Sequence, residues 1–395
     1  MARKILHLDL DAFFCAVEET HNPELIGKAF AVGGKPDERG VVASCSYAAR
    51  RVGIRSAMPM SRALRLSPGL IIVSSRHRLY SEVSHQVMDI LHTQSGLMEQ
   101  ISIDEAFLDI SDIRDDPERF ARGLQTRIRD ELHLPCSIGI ASNKLVAKIA
   151  TEVGKALALK RIKAQGLVEP PNAVTIVGFG EEAAFLSPLP ADMLWGVGPK
   201  TSARLTELGI HTIGDIAKWP ENEMIRLFGE NGRDLSRHAK GIDDRPIVTE
   251  HETKSISQET TFSVDVRNDK VLEKTVREQS AEVARQLRKN NLAGKTIKLK
   301  IRWPDFTTLT RQTTLNSPTD QDDEIAKTAL ELLKAVRKPN QAVRLIGVGV
   351  SGLGEPVRQL GLWDMDSEKS RKLQDVLDAL QEKYGKDVIK RGNLS

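Results

Sequence analysis

Hydrophobic and polar positions along the chain follow two periods, and these sort into successive blocks. Lys4-Ile-Leu-His-Leu-Asp-Leu10 alternates strictly. Leu6, Leu8 and Leu10 share one face and Ile5, His7 and Asp9 the other, which predicts a strand with Asp9 at its end. Residues 99–110 predict two short strands bent around Asp104 and Glu105, so both carboxylates fall at a hairpin tip. The most regular block lies further on. Strands are expected at 255–266, 295–303, 307–315 and 343–351. Helices are expected at 270–289, where Leu272, Val276, Val283 and Leu287 recur at helical spacing, and at 322–336, where Ile325, Ala329, Leu333 and Val336 form one stripe. That order, βαββαβ, is a ferredoxin-like split.

Breaks in the pattern set the expected domain limits. A mixed segment of strands and helices runs from residue 1 to about 168 and stops at the Glu-Pro-Pro-Asn run of 169–172. A helical segment follows to 240. The stretch 241–253, with two Asp, one Pro and few apolar residues, reads as an extended linker, and the βαββαβ block then occupies 254–352 ahead of a tail at 353–395. With 395 residues, 40% hydrophobic and 28% charged, the chain can bury several cores and is neither disordered nor fibrous. No apolar run approaches the ~18 residues of a membrane helix. Asp9 and Asp11 interrupt the N-terminal stretch, which excludes a signal peptide. Cys15, Cys45 and Cys136 are far apart and form no zinc-type cluster, so a reducing, cytoplasmic setting is expected, with no membrane partner.

A net charge of +3 does not by itself mark a nucleic-acid binder, but its distribution does more. Residues 254–352 hold 18 Lys and Arg against 12 Asp and Glu. Within them, Lys295-Thr-Ile-Lys-Leu-Lys-Ile-Arg-Trp303 places Thr296, Lys298, Lys300 and Arg302 on one face, opposite Ile297, Leu299, Ile301 and Trp303. With Arg311 and Arg344 nearby, this surface reads as a track for phosphate backbones. The plain alternative is a solvated sheet face kept soluble by its lysines.

Asp9, Asp104 and Glu105 carry the candidate chemistry. Singly, each acid is what a turn or strand end often holds. Together on adjacent strand ends they offer the hard oxygen ligands that magnesium takes, and paired ions ~3.5 to 4 Å apart serve in-line phosphoryl or nucleotidyl transfer.

His7-Leu-Asp-Leu-Asp-Ala-Phe-Phe-Cys-Ala-Val-Glu18 and Ser102-Ile-Asp-Glu-Ala-Phe-Leu-Asp109 resemble the two metal-binding motifs of Y-family translesion DNA polymerases, most closely the bacterial DNA polymerase IV branch. The resemblance continues through Ser44-Cys-Ser-Tyr-Ala-Ala-Arg-Arg-Val-Gly53, Ser142-Asn-Lys-Leu-Val-Ala-Lys-Ile-Ala150, Trp195-Gly-Val-Gly-Pro-Lys200 and Ser255-Ile-Ser-Gln-Glu-Thr260, nearly the whole chain. It implies an α+β multidomain fold shaped like a right hand. The ferredoxin-like palm would comprise 1–19 and 78–168, small fingers 20–77, a helical helix-hairpin-helix thumb 169–240, and a βαββαβ little finger 254–352.

The resemblance also implies roles. Asp9 and Asp104 would bridge two Mg2+ ions, Glu105 would complete the site near the primer 3′ hydroxyl, and the Leu10 carbonyl would join the nucleotide-side ion. Phe13, Phe14, Ser44, Tyr47 and Arg50 would bind the incoming deoxynucleoside triphosphate, with Phe14 as the steric gate against a 2′ hydroxyl. Lys155 matches a further triphosphate lysine. The family commonly follows that lysine with Pro-x-Gly, whereas this chain reads Lys155-Ala-Leu-Ala-Leu-Lys-Arg-Ile-Lys-Ala-Gln-Gly166, so Lys148 and Lys160 stand as alternatives. Gly196, Gly198 and Lys200 would meet a DNA phosphate at a helix start. Gln359, Leu360, Leu362 and Trp363 resemble the peptide by which bacterial polymerases hold the sliding clamp. The implied function is low-fidelity, template-directed DNA synthesis by a monomer on primer-template DNA. The alternatives are a catalytically silent DNA-binding scaffold, which would be expected to have lost one of the three acids, and a palm-fold nucleotide cyclase, which would have no use for a thumb or a basic little finger.

Overall fold

The computed structural model describes residues 3–250 and 252–356, together with Val376 and Leu380. Its Cα framework divides into two units, residues 1–251 and 252–395. The clamp-like peptide, with Gln359, Leu360, Leu362 and Trp363, lies outside the described residues.

The first unit opens with β1 (Ile5–Leu10) and α1 (Phe13–His21). A small subdomain follows, made of β2 (Phe30–Gly33), β3 (Val42–Cys45), α2 (Tyr47–Arg51), α3 (Met60–Leu66) and β4 (Ile71–Val73). Its three strands lie in the order β3-β2-β4. The chain then returns through α4 (His77–His92), β5 (Met98–Gln100), β6 (Glu105–Asp109), α5 (Pro117–Leu132), β7 (Cys136–Ala141), α6 (Lys144–Ala164) and β8 (Val174–Ile176). These strands join β1 in a five-stranded sheet of order β5-β6-β1-β7-β8. β1 is central and antiparallel to both neighbours, and all six of its residues are buried. Five short helices complete the unit: α7 (Glu182–Leu186), α8 (Pro199–Glu207), α9 (Ile213–Lys218), α10 (Glu221–Phe228) and α11 (Glu230–Ala239).

β8 comes from beyond the expected break at 168 and pairs parallel to β7. The strand is three residues long, too short to show an alternation. The Pro-Pro run before it is a crossing between elements of one layer and not the end of that layer.

α6 lies directly on the sheet. A Cβ at Gly139 of β7 would come within 2.1 Å of the Ala147 carbonyl oxygen, and one at Gly154 of α6 within 2.1 Å of Thr175 Oγ1. Two glycines, one on each side of the contact, thus set how closely helix and sheet approach. α6 also runs unbroken through the segment where the family commonly has Pro-x-Gly, because 155–164 contains neither proline nor glycine.

The second unit runs β9 (Ser255–Val266), α12 (Asp269–Lys289), β10 (Ala293–Arg302), β11 (Thr308–Thr319), α13 (Asp322–Val336) and β12 (Val343–Gly354). The sheet order is β11-β10-β12-β9, all antiparallel neighbours, with both helices on the face of Ile297, Leu299 and Ile301. This is the βαββαβ order that the periodicities predict.

The register alters the expected basic face. Arg311 pairs with Leu299, so it lies on the other face from Lys298, Lys300 and Arg302. A period of two changes face at every residue, so a neighbouring strand's arginine joins the track only when the pairing allows it. Arg344 holds its guanidinium over the Phe306 ring at 4.3 Å. The face therefore comprises Lys298, Lys300 and Arg302, of which Lys300 reaches past Gly347 to pair with Glu259 at 2.7 Å.

Candidate functional site

β1 and β6 bring two acids opposite each other. The antiparallel register pairs Asp9 with Glu105, and the Leu10 amide donates to the Asp104 carbonyl oxygen at 3.0 Å. The hairpin tip is thereby tied to the end of the central strand. Acids about ninety-five positions apart in the chain meet through one strand pairing. Asp104 is fixed locally, since Ser102 Oγ donates to its Oδ1 at 2.7 Å.

Asp9, Leu10 and Asp104 open onto a cavity of about 290 Å³ whose lining also includes Phe13, Phe14, Ser44, Tyr47, Arg50 and Lys155, while Glu105 lies outside that lining. All of the expected nucleotide-site residues are gathered here. Tyr47 and Arg50 share α2, with the guanidinium 4.9 Å from the phenol ring centroid. Ser46 caps that helix by accepting from the Ala49 amide, which fixes the direction of both side chains. α1 has no such side-chain cap. Ala12 stands at its start with φ 49°, a left-handed backbone unusual for a residue with a Cβ, and lines the cavity. The first amides of α1 are thus not satisfied by a side chain, the condition in which a helix start receives an anion.

Lysines occupy the acids. Lys155 Nζ lies 2.5 Å from Asp9 and 3.8 Å from Asp11, and Lys148 Nζ 2.7 Å from Glu105. Burial holds the Asp9 carboxyl well above its usual range against the pull of Lys155, and the neighbouring Glu105 carboxyl adds to the upward shift. Burial likewise raises Asp11 to about 6. Burial works against the charge of Lys155, but Asp9, Glu152 and Asp11 outweigh it and raise its pKa. Burial, with Lys148 and Lys155 adding, keeps His7 neutral, and its Nδ1 meets Thr151 Oγ1 at 2.9 Å. Of the three candidate lysines, Lys155 lines the cavity, Lys148 holds Glu105, and Lys160 is exposed at the solvent side of α6.

As placed, no three His, Cys, Asp or Glu side chains among the described residues close on one ion. The donor set still fits a hard divalent cation in kind. Asp9 and Asp104 line one cavity, Glu105 stands opposite Asp9 across the strand pair, and two ammonium groups already supply positive charge at that spot.

Support for Phe14 was not visible in the sequence. Its ring stacks on Tyr80 of α4, and the Tyr80 hydroxyl donates to Glu18 at 2.6 Å. Arg76 binds the same carboxylate through two nitrogens, at 2.9 and 2.5 Å. Tyr80 and Glu18 are both buried. A Tyr in the first turn of α4 and a Glu ending a motif carry no local sign of each other.

The expected thumb contacts lie apart from this cavity. Gly196 has φ 100°, Gly198 starts α8, and Lys200 is exposed in its first turn. The linker is tied down along this unit. The Gly241 carbonyl accepts from Asn143 Nδ2 at 2.9 Å, Asp243 accepts from the Leu145 amide at 3.1 Å, and the Val248 amide donates to Glu99 at 2.8 Å.

Comparison with known proteins adds the following. The impB/mucB/samB family profile matches residues 8–152, and that of its C-terminal domain matches 253–362. A DNA polymerase IV of Dehalococcoides mccartyi is 41% identical over 396 aligned positions, covering 99% of this chain and 97% of that protein. One from Desulfatibacillum aliphaticivorans is 38% identical, covering 98% of this chain and 95% of that protein. Among solved structures, a Y-family DNA polymerase chimera superposes with TM-score 0.77 at 25% identity, covering 89% of this chain and 99% of that one. An insertion ternary complex of Dbh DNA polymerase superposes with TM-score 0.61 at 26% identity, covering the same shares.

Proposed function

The chain belongs to the impB/mucB/samB family of Y-family polymerases and is a DNA-directed DNA polymerase, and from that premise we propose that it extends a primer by nucleotidyl transfer at the cavity of Asp9, Asp104 and Glu105. Polymerases of this family are metal-dependent. The single observation that carries the assignment is the strand pairing that sets Asp9 opposite Glu105, with Asp104 tied to Leu10, beside a cavity lined by Asp9, Asp104, Tyr47, Arg50 and Lys155.

Asp9, Asp104, Glu105 and the Leu10 carbonyl would hold two Mg2+ ions. Bound there, such ions supply Lewis-acid neutralisation of the triphosphate and a lowered pKa at the primer 3′ hydroxyl. Arg50 and Lys155, with Tyr47, bind a triphosphate carrying about four negative charges through charge-assisted hydrogen bonds. Lys155 leaves Asp9 for the nucleotide, so the ammonium that neutralises the acid in the free chain neutralises phosphate in the complex. Phe14, backed by Tyr80, packs on the sugar and leaves no room for a 2′ hydroxyl. Phe13 and Ser44 shape the same wall. Gly196, Gly198 and Lys200 grip a DNA phosphate, and Lys298, Lys300 and Arg302 follow the backbone without reading bases.

Segments 1–19 and 78–168, extended by β8, form the palm, 20–77 the fingers, the helices up to 240 the thumb, and 254–352 the little finger. Among the described residues, no helix is long and apolar enough to cross a membrane, and the described cysteines are free and buried. A cytoplasmic monomer held to the sliding clamp by Gln359, Leu360, Leu362 and Trp363, copying damaged templates with low fidelity, completes the reading. A catalytically silent scaffold is disfavoured because all three acids are present, with Asp9 opposite Glu105 and Asp104 tied to Leu10. Magnesium-dependent extension of a primed template tests the proposal. Wild type should extend, Asp104→Ala should not, and extension by the variant at the wild-type rate would exclude the site.

A further inference from the structure

A second cavity, of about 320 Å³, adjoins the first and shares Tyr47 and Arg50 with it. One wall is the last turns of α6, which runs on past Lys155 to Ala164 and presents Leu159, Ile162 and Lys163. The facing wall is the end of α2 and the turn after it, with Arg51 and Arg55.

The arginines of this cavity donate to main-chain oxygens, and Arg50 also lies over the Tyr47 ring. Arg50 Nε donates to the Cys45 carbonyl at 3.2 Å and Arg51 Nη1 to that of Gly166 at 3.2 Å. Arg55 Nη1 donates to the carbonyls of Arg50 and Ile54 at 2.5 and 2.7 Å. Among the described residues none of Arg50, Arg51, Arg55 and Lys163 forms a salt bridge, and Glu169, the carboxylate on the lining, pairs with none of them. Elsewhere in this unit arginines commonly meet acids, as Arg76 meets Glu18, Arg127 meets Glu131 and Arg226 meets Glu223. Four like charges around one concavity attract an anion, and the apolar wall of Leu159 and Ile162 lowers the local dielectric and strengthens that attraction.

We propose that this cavity is an oligophosphate site that receives the pyrophosphate released next door. The inference rests on the polymerase reading, which places the distal phosphates of the nucleotide at Tyr47 and Arg50, the two residues common to both cavities. Pyrophosphate moving away from the acids meets Arg51, Arg55 and Lys163 next, and their donors, which among the described residues pair with no carboxylate, become charge-assisted partners of phosphate oxygens.

The test is steady-state addition of one deoxynucleotide to a primed template by the full chain, with inorganic pyrophosphate as inhibitor. An Arg51→Gln/Lys163→Gln double variant should raise the pyrophosphate inhibition constant by about five-fold per lost charge, while kcat and the nucleotide KM stay within about two-fold. Among the described residues the Lys163 ammonium has no hydrogen-bond or ion-pair partner, so Lys163→Gln alone should show its share of the effect with an unchanged melting temperature. Normal extension with an unchanged inhibition constant in the double variant would overturn this inference and leave the polymerase reading standing. A nucleotide KM that rises in step with the inhibition constant would also overturn it, because the cations would then belong to the first cavity. Failure of the wild type to extend at all would remove both.

Discussion

Phe14 lies flat against Tyr80, with ring centroids 4.3 Å apart and planes 15° apart. A gate works only if it cannot yield, and Phe14 is backed by a buried ring whose hydroxyl is anchored on Glu18 and, through Glu18, on Arg76. Phe14→Ala should therefore cut discrimination against ribonucleotides about ten- to hundred-fold, the range that one steric contact commands. Tyr80→Leu keeps the gate and removes its backing, and should give a smaller loss in the same direction. Single-nucleotide incorporation with paired ribo- and deoxynucleotides measures both. Unchanged selectivity in Phe14→Ala would remove Phe14 from the gate.

Lys155 has one charge and two successive uses, on Asp9 and then on triphosphate. Lys155→Met should raise the nucleotide KM about ten- to hundred-fold, as expected for losing a hydrogen bond to a charged group. The kcat should fall less. Steady-state kinetics on a primed template separates the two, and a KM within two-fold of wild type would move the role to another cation.

Gly139 sets the seat of the helix that carries Lys155. Gly139→Ala places a methyl 2.1 Å from the Ala147 carbonyl oxygen, an atom of the helix backbone that cannot turn aside. Destabilisation of about 1–3 kcal/mol is expected from the forced shift, together with lost nucleotide affinity. Chemical denaturation and the nucleotide KM check both effects. The matching substitution at Gly69, where a Cβ meets nothing within 4 Å, should change neither.

Asp243 is a pH-dependent clasp. Its carboxylate accepts from Arg245 at 2.7 and 2.9 Å and from the Leu145 amide at the start of α6. Burial raises its pKa, but the Arg245 guanidinium and these hydrogen bonds outweigh burial and leave it below the ordinary aspartate value. A folded pKa below the unfolded one means stability that is present in full at neutral pH and is lost as pH falls below about 4. Asp243→Asn should cost about 2 kcal/mol at pH 7, and the gap from wild type should narrow at pH 3. Urea midpoints at the two pH values give the answer, and a gap that widens in acid would contradict the clasp.

What the sequence revealed follows from the range over which each signal acts. The second unit was legible because every element carries its own period, from Leu272–Leu287 at helical spacing to the alternation of 295–302. Asp9, Asp104 and Glu105 were legible because a strand end and a hairpin tip are local features. The roles of Tyr80, Lys148 and Asp243 were not, since each is defined by a partner forty or more positions away: Glu18, Glu105 and Leu145. Composition misleads in the linker. The 241–253 stretch reads as an extended linker, yet Asp243 is buried, because it accepts from the otherwise unpaired Leu145 amide at the start of α6. Arg311 shows the same limit in a sheet, where its own strand does not reveal which residue of the next strand it faces.

The most direct test of the shared acid site is anomalous diffraction from crystals of the chain with primer-template DNA, a deoxynucleoside triphosphate and Mn2+ in place of Mg2+. Two manganese peaks should stand against the carboxylate oxygens of Asp9, Asp104 and Glu105, with the Lys155 ammonium moved from Asp9 onto a phosphate oxygen. Manganese bound elsewhere, with Lys155 still on Asp9 and Lys148 still on Glu105, would contradict the account.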